Sequence, residues 1–401
     1  MAKTKHTGRN AAGTGTIRKK AVCKNGKKYV YWEARYTEGF DLGTGKQVQR
    51  SITGKTQKEV AQKLKAATAS IDAGSYTAPS KMTVGEWLDI WIAEYLGGVK
   101  PRTVDSYKTT VRVHIKPALG ALKLEALNAH TIQGFYNSLG RERNGKPGLS
   151  PKSIKNVHGI FHKALSQAMK IGYIRFNPAD ACELPRAEQA EIKPLDSGEI
   201  SAFLKEIQGH RFEDVYLVTL FTGMRRGEVL GLLWDCVDFE KGSILINKQL
   251  QQVPGNRGEF RLVSTKNGKG RTITPATAVM ERLKKHRTWQ MKARLKAGPL
   301  WHDEGYVFTD ELGGHLSPHT VYHNFKRIVK AIGLPSVRFH DLRHSYAVAA
   351  LQSGDDIKTV QQNLGHHTAA FTLDVYGHVT EQMKRESAAR MDAFIESVSS
   401  R

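Results

Sequence analysis

The chain has 401 residues, 40% of them hydrophobic and 25% charged, which is enough apolar material for real cores and too much length for one; two or three domains are expected. A formal net charge of +23 and a pI near 9.8 impose a self-repulsion that no fold needs, so the partner is a polyanion, nucleic acid before an anionic membrane surface. Cys23, Cys182 and Cys236 stand far apart, which excludes a disulfide framework or a Cys-based zinc site and suits a reducing cytoplasm; no apolar run approaches the roughly 18–20 residues of a membrane span, and no signal peptide opens the chain.

The first elements are strands. Thr14 to Lys20, Lys27 to Tyr36 and Lys46 to Ile52 read as extended runs with turn residues between them. In the second run Val30, Trp32, Ala34 and Tyr36 alternate with Tyr29, Tyr31, Glu33 and Arg35, so one face packs and the other stays wet. Thr56 and Glu59 make a capping-box pattern ahead of a helical stripe, Val60, Leu64, Ala67 and Ile71. Residues 1–75 are therefore expected to form a three-stranded sheet backed by one helix. With 16 Lys and Arg against five acids in this segment, its open sheet face should be cationic.

Gly74 to Ser80 reads as a linker, and residues 82–182 as purely helical. Thr83 and Glu86 cap a helix carrying Trp87, Leu88 and Trp91, and Pro101 opens a helix that should end near Ile115, before Lys116-Pro117. A third helix spans about Thr131 to Leu139. Ser150-Pro151 opens a fourth, with the stripe Ile154, Val157, Phe161, Leu165 and Ala168. After a hinge from Leu184-Pro185 to Lys193-Pro194, residues 193–401 are mostly helical. A strand is expected near Ser243 to Gln249, and a hairpin pairing Glu259 to Thr265 with Arg271 to Pro275 about Asn267-Gly268-Lys269-Gly270. Glu381 to Val398 reads as a final helix with Met391, Phe394, Ile395 and Val398 on one stripe. The fold class is thus multidomain and mainly α with small β-sheets, the last domain being α+β.

The residues that carry chemistry lie in the last domain. Thr222-Gly223-Met224-Arg225-Arg226-Gly227-Glu228 reads as a tight turn from an apolar helix into one bearing Val229, Leu232 and Trp234. It sets Arg225 at a helix start, where backbone N–H groups also favour an anion. In His340-Asp341-Leu342-Arg343 the spacing of three puts a proton-transfer group and a bidentate phosphate clamp on one helical face. Leu364-Gly365-His366 ends a short helix and places another imidazole on the next turn; Tyr376 follows ten residues later, and Lys266 tops the expected hairpin. His340, His344, His366, His367 and His378 have no Cys partner and no His-Glu-x-x-His pattern, so no metal site is expected. Gly54-Lys55-Thr56 mimics the end of a phosphate-binding loop, but Gln49 stands where its first glycine belongs, and Gly45-Lys46 is followed by Gln47. No nucleotide or other cofactor is expected.

The ordered set Arg225, Lys266, His340-x-x-Arg343, Leu364-Gly365-His366 and Tyr376 resembles the catalytic signature of the tyrosine recombinase (phage integrase) family. The helical segment is similar to that family's core-site DNA-binding domain. The basic start resembles the arm-site-binding domain of integrases from phages and conjugative transposons of Gram-positive bacteria. The resemblance implies site-specific strand exchange through a 3′-phosphotyrosyl bond to Tyr376, integrating and excising a mobile element. It implies Arg225 and Arg343 as the phosphate clamp, Lys266 as proton donor to the departing 5′ oxygen, His340 as proton acceptor or relay, and His366 as a phosphate hydrogen-bond donor. The implied partners are double-stranded DNA at core and arm sites, three more copies of the chain in a homotetramer on DNA, and an excisionase or host DNA-bending protein, all in the cytoplasm at the nucleoid and away from membranes. Glu228 and Asp341 orient the clamps, and His367 has no assigned role. A tyrosine, with a pKa near 10, serves both as nucleophile and as leaving group, so rejoining needs no nucleotide. Two alternatives remain: a type IB topoisomerase-like enzyme, which needs no site pair, and a catalytically inactive DNA-binding regulator, which forms no covalent adduct.

Overall fold

The computed structural model describes residues 15–24, 27–40, 44–72, 81–142, 145, 147–187, 193–256, 258–265, 268, 270–365 and 381–399. It divides into two compact units, Met1–Glu188 and Gln189–Arg401. No helix among the described residues is long and apolar enough to cross a membrane.

The first unit opens with three antiparallel strands, β1 (Thr16–Lys24), β2 (Lys27–Phe40) and β3 (Gln47–Gly54), in the order β1-β2-β3. The pairs Ile17↔Ala34 and Ala34↔Ile52 put apolar residues on the face covered by α1 (Gln57–Asp72), where Ala34, Tyr36, Val60 and Leu64 are buried. The opposite face departs from expectation at one residue. Glu33, read as solvated, is only 5% exposed because Arg18, Lys20 and Arg35 close over it.

A separate core in the same unit is wholly helical: α2 (Val84–Glu94), α3 (Pro101–Thr110), α4 (Lys116–Leu119), α5 (Ala129–Leu139) and α6 (Pro151–Lys170). Thr83 and Glu86 form the expected capping box on α2. The Trp87 indole N–H donates to the Ala164 carbonyl across the core at 3.0 Å. All five residues of the α6 stripe are buried. One helix end is corrected: the chain does not stop before Lys116-Pro117 but passes through a π-helical turn, Val111–Ile115, into α4. The Lys116 N–H bonds back five residues to Val111. Pro117 then occupies the first turn of a new segment, where its missing donor costs nothing.

The second unit packs helices around one large core. Its helices are α7 (Ser197–Glu206), α8 (Glu213–Thr222), α9 (Arg226–Leu230), α10 (Thr277–Ala297), α11 (Pro318–Ala331), α12 (Asp341–Gln352), α13 (Ile357–Leu364) and α14 (Glu381–Ser399). Its strands are β4 (Val237–Asp238), β5 (Ser243–Ile246), β6 (Lys248–Gln252), β7 (Phe260–Ser264) and β8 (Arg271–Ile273). Two expectations are corrected here. α9 is one turn and ends at Gly231, short of Leu232 and Trp234; the chain there runs against β6 so closely that a Cβ at Gly231 would meet the Leu250 amide nitrogen at 2.5 Å. The expected hairpin between β7 and β8 does not exist: β7 pairs with β6, and β8 with β5. The chain reverses instead at Pro254-Gly255, where Gly255 adopts φ +81°, a conformation glycine permits without strain. Pairing with β6 ends at Ser264, opposite Lys248, and pairing resumes only at Arg271, opposite Ile246 of β5.

Candidate active site

The site is built on helix ends. α8 stops at Gly223, whose φ of +64° and crowding exclude any side chain: a Cβ there would lie 2.5 Å from a ring carbon of Tyr346 and 2.7 Å from Leu364. This close approach brings α12 and α13 against the turn. Arg343, in the first turn of α12 and 1% exposed, donates from Nη1 to the Gly223 carbonyl at 2.6 Å and from Nη2 to the Leu364 carbonyl. α13 ends in the same manner, with Gly365 at φ +64°.

Arg225 caps the start of α9 from the other side of the turn. Its backbone N–H donates to Glu228 Oε2 at 2.9 Å, its Nη1 to Glu228 Oε1 at 2.7 Å, and its Nη2 reaches the Gly365 carbonyl at 3.5 Å. Glu228 is 1% exposed and also accepts both Nη groups of Arg271, at 3.1 and 2.7 Å. The Arg271 Nε–H donates to the Asn363 carbonyl at 2.7 Å. Burial alone would raise the Glu228 pKa. The bonds from Arg271 and the charges of Arg271 and Arg225 outweigh it, and hold the carboxyl down to about 2.

His340 stands just before α12, its ring edge-on to the buried His344 at 4.9 Å between centroids. Desolvation among the crowded neighbours, then His344 and the cations Arg343 and Arg225, push the His340 pKa down to about 4. The ring is therefore neutral near pH 7 and ready to accept a proton. Asp341 is engaged by Arg338, whose backbone N–H and Nη2 reach its two oxygens at 2.7 and 2.8 Å. Among the candidates, Arg225, His340 and Arg343 are thus brought together. Lys266, His366 and Tyr376 lie outside the described residues, but Thr265 and Gly365 lead directly into the first two. Sequence reading missed Arg271. Its signal was present: it lies two residues before buried Ile273 in β8, so it is a cation on the core side of a strand.

The model of the phage integrase family matches residues 193–383, and that of the phage integrase N-terminal SAM-like domain matches residues 83–140. A tyrosine recombinase XerC-like protein of Caldanaerobacter subterraneus subsp. tengcongensis is 30% identical over 393 residues, which are 93% of this chain and 98% of that protein. The chain belongs to the tyrosine recombinase (phage integrase) family. Its C-terminal domain is the tyrosine recombinase catalytic domain, a DNA cutting and rejoining enzyme. The ICEBs1 integrase of Bacillus subtilis is 24% identical over 361 residues, covering 88% of this recombinase and 95% of its relative. Among solved structures, the Tn1549 transposon integrase in complex with a circular intermediate DNA has the same fold, at a TM-score of 0.65 and 22% identity, covering 78% of this recombinase and all of that chain. A lambda integrase tetramer bound to a Holliday junction aligns at a TM-score of 0.54 and 20% identity, over 87% of this chain and 96% of its own.

Proposed function

We propose that this recombinase integrates and excises a mobile element by breaking and resealing DNA through a 3′-phosphotyrosyl bond to Tyr376. The observation that carries the reading is the convergence of Arg225 and Arg343 on the turn after α13, the point from which the chain continues to His366 and Tyr376. Two guanidiniums anchored there would hold the non-bridging oxygens of one phosphate and stabilise the charge of the five-coordinate transition state. The Tyr376 oxygen attacks phosphorus and its proton passes to neutral His340. The bond to the 5′ oxygen breaks, that oxygen takes a proton from Lys266, and His366 donates to the phosphate. Resealing runs the same steps backwards, with the 5′ hydroxyl displacing tyrosine.

In this reading residues 1–75 hold arm sites, residues 82–182 hold core sites and residues 193–401 cut, within a homotetramer on DNA assisted by an excisionase or host DNA-bending protein. The tail supports assembly: Met391, Phe394, Ile395 and Val398 of α14 are 58%, 61%, 50% and 53% exposed, an apolar stripe suited to a neighbouring copy. A nicked suicide substrate tests the chemistry. Wild-type chain should form an SDS-resistant adduct and Tyr376→Phe none, at unchanged DNA affinity; an adduct formed by Tyr376→Phe would mean another nucleophile.

A further inference from the structure

On the sheet face turned away from α1, the strand register sets Arg18 and Lys20 of β1, Glu33 and Arg35 of β2, and Ser51 and Thr53 of β3 side by side. Glu33 is at the centre. No core covers it; the cations do. Arg18 donates from Nε and Nη2 to one carboxylate oxygen at 2.9 and 2.6 Å, and Lys20 Nζ donates to the other at 3.1 Å. Arg35 Nε lies 3.7 Å away. The three cationic side chains remain 52%, 38% and 49% exposed, so they keep surface available to a partner while Glu33 has almost none.

A face that only grips phosphates gains from each cation and loses from a carboxylate among them. Half-exposed ion pairs also add little stability. Neither affinity nor fold accounts for a carboxylate here, whereas geometry does. Two bonds from one guanidinium fix its plane, and they leave the edge carrying the two Nη groups for the paired acceptors of a guanine in the major groove, which a β-ribbon can enter.

We propose that Glu33 is a specificity-determining positioning residue, which holds Arg18 and Lys20 in one arrangement so that the open sheet face reads base edges of duplex DNA. This rests on the reading of residues 1–75 as a DNA-binding segment. A random-sequence duplex library selected with the full chain, and in parallel with a chain lacking the residues before Met82, identifies the motif that depends on this segment. Affinity for that motif and for its scrambled duplex is then measured across salt concentrations. Glu33→Gln should bind the scrambled duplex more tightly, with a salt slope steeper by about one, and lose about tenfold in preference for the motif. Asp72→Asn, which removes the same charge from the exposed end of α1, should keep the preference. In an Arg18→Gln, Lys20→Gln chain, adding Glu33→Gln should change preference less than about twofold. Preference retained in Glu33→Gln, or lost equally without Arg18 and Lys20, overturns the proposal. Should Glu33→Gln melt early, Arg18→Lys takes its place: it keeps the charge and breaks the two-bond geometry, so it must lose preference at an unchanged salt slope. A selection in which no motif depends on the first segment overturns the DNA-reading assignment itself, and the proposal with it.

Discussion

Removing Arg271 should damage both the fold and the chemistry of the C-terminal unit. Glu228 is a carboxylate 1% exposed, held by Arg271 on one side and Arg225 on the other. The drop of its pKa from 4.5 to about 2, the net of burial against Arg271 and Arg225 together, with Arg271 the larger, corresponds to about 3 kcal/mol of folding free energy. That agrees with the roughly 3–5 kcal/mol lost when one partner of a buried ion pair is removed. Arg271→Ala should therefore cost about 3 kcal/mol near pH 7, and slow cleavage more than tenfold, because the carboxylate that fixes Arg225 loses its own anchor. The sign with pH follows from the lowered pKa. The contribution is complete above about 4.5, where the unfolded carboxyl is ionised, and disappears as pH falls towards 2. Hydrogen exchange at amides of α9 and α12, measured against pH, reads this unit separately from the other. In Arg271→Ala the loss between pH 4.5 and 2 should be shallower. Arg271→Lys should restore part of the stability but less of the cleavage, since an ammonium cannot bond Glu228 and the Asn363 carbonyl in one plane. A loss below about 1 kcal/mol with an unaltered pH window would refute the reasoning.

Lys266→Ala should cut normal DNA at least about 100-fold more slowly, yet recover on a substrate with sulfur at the bridging 5′ position, whose thiolate leaves without a proton; equal defects on both substrates remove Lys266 from the acid role. His340 and His344, both pushed down to about 4, stay neutral when folded while the unfolded rings titrate near 6.5. Stability should thus be complete above pH 6.5 and decline as pH falls towards 4, whereas NMR titration showing either ring protonated at pH 6 would contradict this. On α14, Phe394→Asp with Ile395→Asp should spare the monomer's melting temperature and single-site binding. Because burying one large side chain is worth about 1.5–3 kcal/mol, the same change should weaken cooperative assembly on paired sites by about 100-fold or more; a sharp fall in monomer melting would place the stripe within its own chain.

Much of the fold is legible because local rules and packing agree. The alternation in β2, the stripe of α6 and the capping box at Thr83 each name an element and its buried face, and the structure buries Ala34, Phe161 and Trp87 accordingly. What could not be read depends on partners distant in sequence. Asn267-Gly268-Lys269-Gly270 looks like a turn, yet Pro254-Gly255 makes the reversal, and only the pairing of β6 with β7 shows which one closes the ladder. Glu33 sits at a polar position in its strand, and its burial comes from cations on β1. A breaker such as Pro117 ends an α-helix by rule, but a π turn one residue ahead resets the hydrogen bonding.

The site was legible as an ordered set of residues and not as a structure, and the difference is physical. The last carbonyls of a helix have no partner within it, and cations are favoured there. Around the end of α8 and the end of α13, the carbonyls of Gly223, Asn363, Leu364 and Gly365 all meet arginine: Arg343 at Gly223 and Leu364, Arg271 at Asn363, and Arg225 at Gly365. The guanidiniums proposed to hold the phosphate are therefore already part of how these helices end. Sequence spacing exposes Arg225 and Arg343, since each stands in a recognisable motif, but it cannot show that Arg343 meets the end of α8 and Arg225 the end of α13, each more than a hundred residues away in the chain. One consequence separates this arrangement from a site merely placed on a finished scaffold. Substituting Arg225 or Arg343 must loosen the helix ends at Gly223 and Gly365, so a loss of cleavage measures chemistry only after the protection of α8 and α13 has been measured in the same variant.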